Sequence, residues 1–239
     1  MTAAPLIRIT DALLARVAGL SFQPPVTHVY NPLIYARQPY DRYLSRFGRS
    51  PKRTLLVGMN PGPWGMSQTG IPFGDVVSVT DWLGISGAVG QPDTPHPKRP
   101  ILGFACRRRE VSGKRLWSWL AARFGTPEVF FRSAMVLNYC PLVFMESSGR
   151  NRTPDRLPAD EKQPLLSACD AALRETVAVL KAQTVIGVGR FAAQRAEAAL
   201  KGADVAVGVI SHPSPANPKA NRGWDRLVTA ELRAMGIQW

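Results

Sequence analysis

Asn60 is the first polar side chain after a strongly apolar run, residues 54–59, and a loop rich in glycine and proline follows it. Glycine lets a backbone approach a ligand closely, and proline limits the freedom of a loop. An amide does not act as a general base at neutral pH, so a catalytic Asn60 would hold a water molecule or a substrate carbonyl by hydrogen bonds. The alternative is a tight connection without function, because the loop lacks the lysine of a phosphate-binding P-loop. Its position at a strand end favours a ligand site.

Two further polar side chains lie at the ends of predicted strands. Asn138 belongs to the apolar run 134–139, and His212 follows the run 205–210. The amide of Asn138 offers a donor and an acceptor that match the adjacent N–H and C=O of a pyrimidine edge, or it satisfies its own backbone. Taken alone, a histidine such as His212 is more readily structural, but the proline-rich loop around it would present it rigidly to a polyanion.

Phe73 is flanked by Pro72 and Gly74. Most aromatic side chains in chains of this composition belong to the core, and that is one interpretation. The other is an aromatic ring held rigidly at the wall of a pocket, where a planar ligand stacks on it.

Four short apolar runs alternate with helical patterns along the chain. Helices are predicted at residues 9–20, after Asp75, and at residues 111–124. The strands are predicted at residues 54–59, 134–139, 184–188 and 205–210. This alternation predicts a three-layer α/β/α sandwich around a central, mainly parallel four-stranded sheet. We expect one domain over residues 1–239, with a helical cover over about residues 1–50. Parallel strands end at the same edge of a sheet, so Asn60, Asn138 and His212 should converge on one crevice.

The charge of the chain is strongly biased. Thirty lysines and arginines stand against 17 aspartates and glutamates, which gives a formal net charge of +13. A surface with this bias attracts polyanions, so nucleic acid is the predicted partner. The alternative is a merely basic protein from a genome rich in alanine and arginine codons. Basic residues concentrate in the segment 98–115, which favours a patch, although the arginine run 107–109 is equally compatible with a solvated face.

Other features of the composition exclude several classes of protein. The three cysteines and three histidines are widely separated in the sequence and form no ligand-spaced pair. We therefore expect no metal and no cofactor. No run approaches the roughly 20 apolar residues of a membrane helix, and residues 1–20 lack the uninterrupted apolar core of a signal peptide. We expect a monomer in the cytoplasm, or in the nucleus of a eukaryote.

Two motifs resemble those of a known family. The first comprises Gly58-Met59-Asn60-Pro61-Gly62-Pro63, Gly65-Met66 and Pro72-Phe73-Gly74, and the second comprises His212-Pro213-Ser214-Pro215 and Asn221-Arg222-Gly223-Trp224. Shorter matches extend over nearly everything from residue 29 onward. The sequence is similar to the single-strand-selective monofunctional uracil-DNA glycosylases, within the uracil-DNA glycosylase superfamily. The resemblance implies a DNA-repair enzyme that flips the damaged nucleotide out and hydrolyses the N-glycosidic bond of uracil and some 5-substituted uracils.

The resemblance also implies residue roles. Asn60 would position the attacking water, and His212 would stabilise the negative charge that develops on the departing base. Phe73 would stack on the base and Asn138 would recognise its edge. The implied base pocket further includes Met59, Gly62 and Met66, and the implied DNA contacts are Pro213, Ser214, Pro215, Asn217, Lys219 and Arg222.

Two positions in the motifs affect the expected activity: Gly62 bears on which bases fit the pocket, and Ala216 bears on how the vacated base stack is filled. Gly62 occupies the place where uracil-specific relatives have a bulky aromatic that excludes the thymine methyl group, so the resemblance implies acceptance of 5-hydroxymethyluracil. No lysine lies in the pocket motifs, which argues against a Schiff base and strand cleavage. Ala216 stands where vertebrate members carry an arginine that helps to fill the vacated base stack. Pro215, Asn217 and Lys219 are then the candidates for that wedge.

Two other functions stay open at this point. The same fold could act mainly on the deaminated purines xanthine and hypoxanthine, because an amide can reorient to suit either edge. A non-catalytic nucleic-acid-binding module could also retain such a pocket. Release of base from defined oligonucleotides distinguishes all three.

Overall fold

The computed structural model describes residues 3–239. Its strands are β1 (Val26–Tyr30), β2 (Thr54–Gly58), β3 (Ala134–Asn138), β4 (Val143–Glu146), β5 (Asn151–Arg152), β6 (Thr184–Val188) and β7 (Ala206–Ile210). Its α-helices are α1 (Ala4–Val17), α2 (Pro32–Tyr35), α3 (Arg37–Phe47), α4 (Met66–Thr69), α5 (Val111–Phe124), α6 (Pro127–Phe131), α7 (Ala159–Leu180), α8 (Arg190–Ala199) and α9 (Trp224–Ala234). A π-helical turn covers Ser78–Trp82, and 3-10 turns cover Gly103–Ala105, Pro154–Arg156 and Ala220–Arg222.

The central sheet has four parallel strands in the order β3-β2-β6-β7. This confirms the predicted four-stranded parallel sheet. Strand β2 lies between two neighbours and is buried along its whole length. Its continuous apolar sequence follows from that position, because a central strand covered on both faces has no side that faces water.

The direction of strand addition places the helices in two layers. The chain moves from β2 outward to β3, and then crosses β2 to reach β6 and continues to β7. Because crossovers between parallel strands are right-handed, this reversal puts α5 and α6 on one face and α7 and α8 on the other. The C-terminal helix α9 contacts α5, and α1 contacts α7. These contacts complete the α/β/α arrangement.

A second sheet was not predicted. Strand β4 pairs antiparallel with both β1 and β5, so a three-stranded sheet in the order β1-β4-β5 lies beside the parallel one. These strands have five, four and two residues. Runs this short carry too little periodicity to indicate strands, and the pairing of β1 with β4 joins distant parts of the chain.

The helical predictions differ from the structure mainly at their ends. The predicted helix at residues 9–20 begins earlier, at Ala4, and ends at Val17. The helix predicted after Asp75 is a short π-helical turn, and Asp75 accepts hydrogen bonds from the backbone and hydroxyl of Ser78 at its start. The apolar sides of α1 and α3 belong to the same core cluster as the central strands. Residues 1 and 2 of the expected helical cover lie outside the described residues.

Within residues 3–239, no helix combines the length and the apolar character needed to cross a bilayer.

Candidate active site

A cavity of about 360 Å³ opens at the carboxyl edge of the parallel sheet. The seven residues predicted to act in catalysis or base binding all line it: Met59, Asn60, Gly62, Met66, Phe73, Asn138 and His212. Its other lining residues are Pro61, Pro63, Glu110, Ser112, Asn151, Thr153 and Ser214. The predicted convergence of strand ends on one crevice is therefore present in the fold.

Asn60 is held by a single hydrogen bond. Its Nδ2 donates to the carbonyl of Leu142, 3.1 Å away in the loop between β3 and β4. This bond assigns the two ends of the amide, so Oδ1 remains as an acceptor. Among residues 3–239, no group donates a hydrogen bond to this Oδ1. Oδ1 of Asn60 can thus accept a hydrogen bond from a ligand in the cavity, such as a water molecule.

His212 is fixed as a neutral donor. Its Nδ1 accepts a hydrogen bond from the backbone N–H of Ser214 at 3.1 Å, so the proton of the neutral ring is on Nε2. Burial disfavours the charged ring and lowers the pKa of His212 to about 4. The carbonyl of the same residue accepts a hydrogen bond from Asn217 Nδ2 at 3.0 Å, which ties the backbone to its own loop.

Phe73 has an unusual backbone conformation. Its φ of +53° lies in the left-handed region, which is costly for a bulky side chain. The indole N–H of Trp117 donates to its carbonyl at 3.0 Å, and Gly113 of α5 approaches the same carbonyl too closely for any Cβ. The ring is only 9% exposed and its centroid lies 6.0 Å from that of His212. Phe73 is therefore both a core residue and a wall of the cavity.

Asn138 and Phe73 meet across the last residue of β2. A Cβ at Gly58 would lie 2.7 Å from Cε2 of Phe73 and closer still to Oδ1 of Asn138. The Nδ2 of Asn138 contacts the sulfur of Met66 at 3.2 Å. Gly58 is thus required for the ring and the amide to share one site, and sequence reasoning did not single it out. The signal for it was a glycine at the end of a buried strand.

Glu110 is a second residue that sequence reasoning missed. A Cβ at Gly62 would lie 2.6 Å from its Oε2, and a Cβ at Gly65 would lie 2.8 Å from its Cγ. The space that Gly62 was expected to leave beside the base is therefore bounded by a carboxyl group. Burial disfavours its charged form and raises the pKa of Glu110. Its Oε1 accepts a hydrogen bond from the backbone N–H of Ser112 at 3.4 Å, at the start of α5.

The second sheet supplies Asn151 and Thr153, at and just after β5, to the cavity lining. The side-chain oxygen of Asn151 is buried without a hydrogen-bond partner within the described chain. Asn151 lies in one of the short stretches that match the family, residues 148–151, but no role is predicted for it or for Thr153, because their strand is not predicted.

The basic segment does not form one uniform patch. Arg109 makes two hydrogen bonds of 2.7 Å to the buried carboxylate of Asp75. Burial alone would raise the pKa of Asp75, but the hydrogen bonds from Arg109 and Ser78 reverse this and lower it. Arg99 and Arg108 lie 5.4 and 4.3 Å from the ring centre of Trp64. Arg109 is thus structural, and Arg99 and Arg108 flank an aromatic ring.

The residues predicted to contact DNA occupy the loop after β7. Pro215, Lys219 and Arg222 are exposed, Ser214 lines the cavity, and Pro213 is buried. Arg115 of α5 donates to the carbonyl of Pro213 at 2.9 Å and to Oδ1 of Asn221 at 3.0 Å. The loop is therefore anchored to α5 at both ends.

No group of three or more histidine, cysteine, aspartate or glutamate side chains in residues 3–239 is arranged to hold a metal ion.

The chain is similar to characterised protein families over most of its length. Residues 46–232 match the uracil DNA glycosylase superfamily. A crystal structure of SMUG2 from Pedobacter heparinus has the same fold, with a TM-score of 0.65, 19% identity, and coverage of 95% of this chain and 97% of that chain. The match and the fold define a member of the uracil DNA glycosylase superfamily.

Sequence relatives narrow this class. The chain is 49% identical to the single-strand selective monofunctional uracil-DNA glycosylase of Rattus norvegicus, over 94% of this chain and 82% of the relative. It is 48% identical to those of Mus musculus and Bos taurus, over 94% and 97% of this chain and 81% and 84% of those relatives. The chain belongs to the family of single-strand-selective monofunctional uracil-DNA glycosylases.

Proposed function

We propose that the protein is a monofunctional uracil-DNA glycosylase of base excision repair, which hydrolyses the N-glycosidic bond of uracil in DNA and leaves an abasic site. One observation carries the proposal. A cavity at the sheet edge holds a free amide oxygen on Asn60, a neutral imidazole on His212, a buried aromatic ring on Phe73 and a base-edge amide on Asn138. The chemistry that these side chains support uses no metal and no cofactor.

The reaction divides between two residues. Asn60 Oδ1 accepts a hydrogen bond from the water whose oxygen attacks C1′. The C1′–N1 bond breaks with its electron pair moving to the base, and His212 Nε2–H donates to the O2 on which the negative charge develops. The water leaves its hydroxyl on the sugar, and its remaining proton neutralises the released base. A neutral donor suits this step because it stabilises the anion without being consumed.

The base is held on its face and on its edges. Phe73 stacks on the ring, Asn138 pairs with the N3–O4 edge, and Met59, Gly62 and Met66 complete the wall. We include 5-hydroxymethyluracil among the substrates, because glycine at position 62 places no side chain against the 5-position. A Schiff base is not part of this mechanism, since the cavity lining in the described chain contains no lysine.

DNA is engaged by the loop beside the cavity. Pro215, Lys219 and Arg222 are exposed on it, and Ser214 and Asn217 lie nearer the pocket, so the loop can contact backbone phosphates and the vacated stack of either single- or double-stranded DNA. We infer that the protein acts as a single-domain monomer in the compartment that holds the genome, which is the cytoplasm of a bacterium or the nucleus of a eukaryote.

Base release from a panel of oligonucleotides tests the proposal. Single strands and duplexes carry uracil, 5-hydroxymethyluracil, xanthine or hypoxanthine. Released base is measured directly, and strand length is measured before and after alkaline cleavage of abasic sites. We expect free uracil and 5-hydroxymethyluracil with an intact abasic strand. Release of the two purines alone would assign the fold to deaminated purines, and binding without release would make it a binding module.

Replacement of Asn60 or His212 by alanine separates chemistry from binding. We expect each change to lower kcat/KM for uracil release about a hundredfold or more, because each removes a group that acts on the transition state. The Kd for uracil-containing DNA should change little. A parallel loss of affinity in both variants would contradict the assigned roles.

A further inference from the structure

Glu110 reaches the cavity through a gap between two glycines. Its Oε2 and Cγ lie where side chains at Gly62 and Gly65 would begin. Two glycines in the loop after β2 therefore leave room for one carboxyl group from the start of α5. Any larger residue at position 62 would displace it.

The carboxyl group is rigidly placed but only half satisfied. The backbone N–H of Glu110 donates to Asp75 Oδ1 at 3.0 Å, and the neighbouring Arg109 clamps the same carboxylate. Oε1 of Glu110 accepts from the N–H of Ser112. Within residues 3–239, Ser112 is the one residue that hydrogen-bonds this carboxyl group, and its N–H binds Oε1 rather than Oε2. A fixed acceptor thus remains available at the cavity wall beside Gly62.

The placement of a pyrimidine in the cavity indicates which edge of the base Oε2 of Glu110 would face. When Asn138 holds N3 and O4, His212 holds O2 and Phe73 covers the ring face, the edge left over is C5–C6. Of the cavity's remaining polar side chains, Glu110 is the one in contact with Gly62. The 5-substituent of the base would therefore point toward the Gly62 and Glu110 side of the pocket.

We propose that Glu110 is a specificity-determining residue that selects the 5-substituent of the base by hydrogen bonding. Its Oε2 accepts a hydrogen bond from a donor such as the hydroxyl of 5-hydroxymethyluracil. A methyl group offers no donor and, by displacing water, would leave this oxygen desolvated and unpaired, which disfavours thymine. An anionic substituent such as the carboxylate of 5-carboxyuracil would meet a like charge or a crowded acceptor. The inference rests on the proposed glycosylase function.

The protonation state of Glu110 does not reverse this preference. Burial raises its pKa, so the neutral acid is more accessible than for an exposed glutamate. A carboxylate accepts from a hydroxyl, and a carboxylic acid can both donate to it and accept from it. Neither form gains a partner from a methyl group.

The test compares 5-substituents as ratios to uracil. Glu110→Ala, Glu110→Gln and the wild type are assayed on single strands carrying uracil, 5-hydroxymethyluracil, thymine or 5-carboxyuracil. Glu110→Ala should lower the 5-hydroxymethyluracil to uracil ratio of kcat/KM about tenfold and raise the thymine to uracil ratio. Glu110→Gln keeps the shape and presents an amide, so it should raise the 5-carboxyuracil to uracil ratio about tenfold. The matched control is Glu197→Gln, which removes an exposed carboxylate on α8.

The outcomes distinguish this inference from the function on which it rests. No uracil release by the wild type would overturn the proposed function and the inference with it. Normal uracil release by the wild type with equal losses on every substrate in both variants would make Glu110 only a structural cap of α5, and would overturn the inference alone. Unfolding temperatures of the variants identify any loss that comes from misfolding, and Glu110→Gln retains the acceptor that caps the helix.

Discussion

The imidazole of His212 is held in its neutral form by two independent features. Burial penalises the charged ring and lowers its pKa to about 4, and the N–H of Ser214 requires a lone pair on Nδ1. Burial keeps the ring neutral, and the hydrogen bond from Ser214 places its one proton on Nε2. The residue that stabilises the departing base in the proposed reaction is therefore a hydrogen-bond donor over the whole physiological pH range, and it needs no titration to become one.

This arrangement predicts a pH dependence of stability. The folded pKa of His212 lies below its ordinary value of 6.5, so the unfolded chain binds the proton more readily. The stability contribution is complete above pH 6.5 and is lost as the pH falls toward 4. The wild type should lose about 3 kcal/mol of unfolding free energy relative to His212→Asn between pH 7 and pH 4.

Urea unfolding of both proteins at several pH values measures this difference. Parallel curves for the wild type and His212→Asn would mean that the pKa of His212 is not lowered in solution. The ring of His212 stays neutral between pH 9 and pH 6. Its titration should therefore not lower uracil release by the wild type in this range.

At the scale of elements, the position of the loop after β7 depends on hydrogen bonds from helix α5. Arg115 donates to the carbonyl of Pro213, next to His212, and to the side chain of Asn221 at the far end of the loop. One side chain of α5 therefore fixes the loop that carries His212, the proposed catalytic histidine, and the exposed residues proposed to contact DNA. Arg115 belongs to the basic segment 98–115, but its guanidinium is bound to the loop after β7.

Arg115→Ala should therefore impair catalysis more than loss of one charge explains. We expect kcat/KM for uracil release to fall about tenfold and unfolding free energy to fall by about 1–3 kcal/mol, because two charge-assisted hydrogen bonds are lost. The matched control is Lys114→Ala, which removes the same charge from the adjacent exposed position. Steady-state kinetics at equal ionic strength compares them, and equal effects of the two changes would contradict the anchoring role.

At the scale of the whole molecule, the charge of +13 acts through its distribution. Part of it is neutralised locally, as at Asp75 and Arg109. Lys219 and Arg222 remain exposed on the loop beside the cavity. Charges at this edge can contact phosphates while the base enters the pocket, whereas charges at the opposite edge can contribute only through the long-range field.

Salt dependence distinguishes these two kinds of charge. The slope of log Kd against log salt concentration for single-stranded DNA should decrease by about 0.7 for each phosphate contact removed, so it should decrease in Lys219→Ala and in Arg222→Ala. Lys201→Ala removes an exposed charge between α8 and β7, at the amino edge of the sheet, and should leave the slope unchanged. Equal slopes in all three variants would contradict phosphate contact by the loop.

Local patterns predicted the parallel sheet and most of its helices. The helix predicted at residues 111–124 and the strand predicted at 184–188 match α5 and β6 in full. The reason is that periodicity and buried apolar runs are local properties of the chain. The sequence also predicted that Asn60, Asn138 and His212 lie close together, because parallel strands end at one edge of the sheet.

Contacts between residues far apart in the sequence could not be predicted, because no local pattern along the chain indicates them. The sheet of β1, β4 and β5 forms by pairing across distant segments, and the place of Asn151 in the cavity depends on it. Phe73 adopts its left-handed conformation because Trp117 and Gly113 hold its carbonyl, and neither partner is near it in sequence.

The sequence by itself determined the sheet, the family, and the residue types at the strand ends, since these depend on patterns along the chain. Only the tertiary structure decided that Glu110 bounds the space beside Gly62, that Arg115 anchors the loop carrying His212, and which nitrogen of His212 keeps its proton. These features arise from approach of groups far apart in sequence, where distance and burial rather than residue type decide what a side chain does.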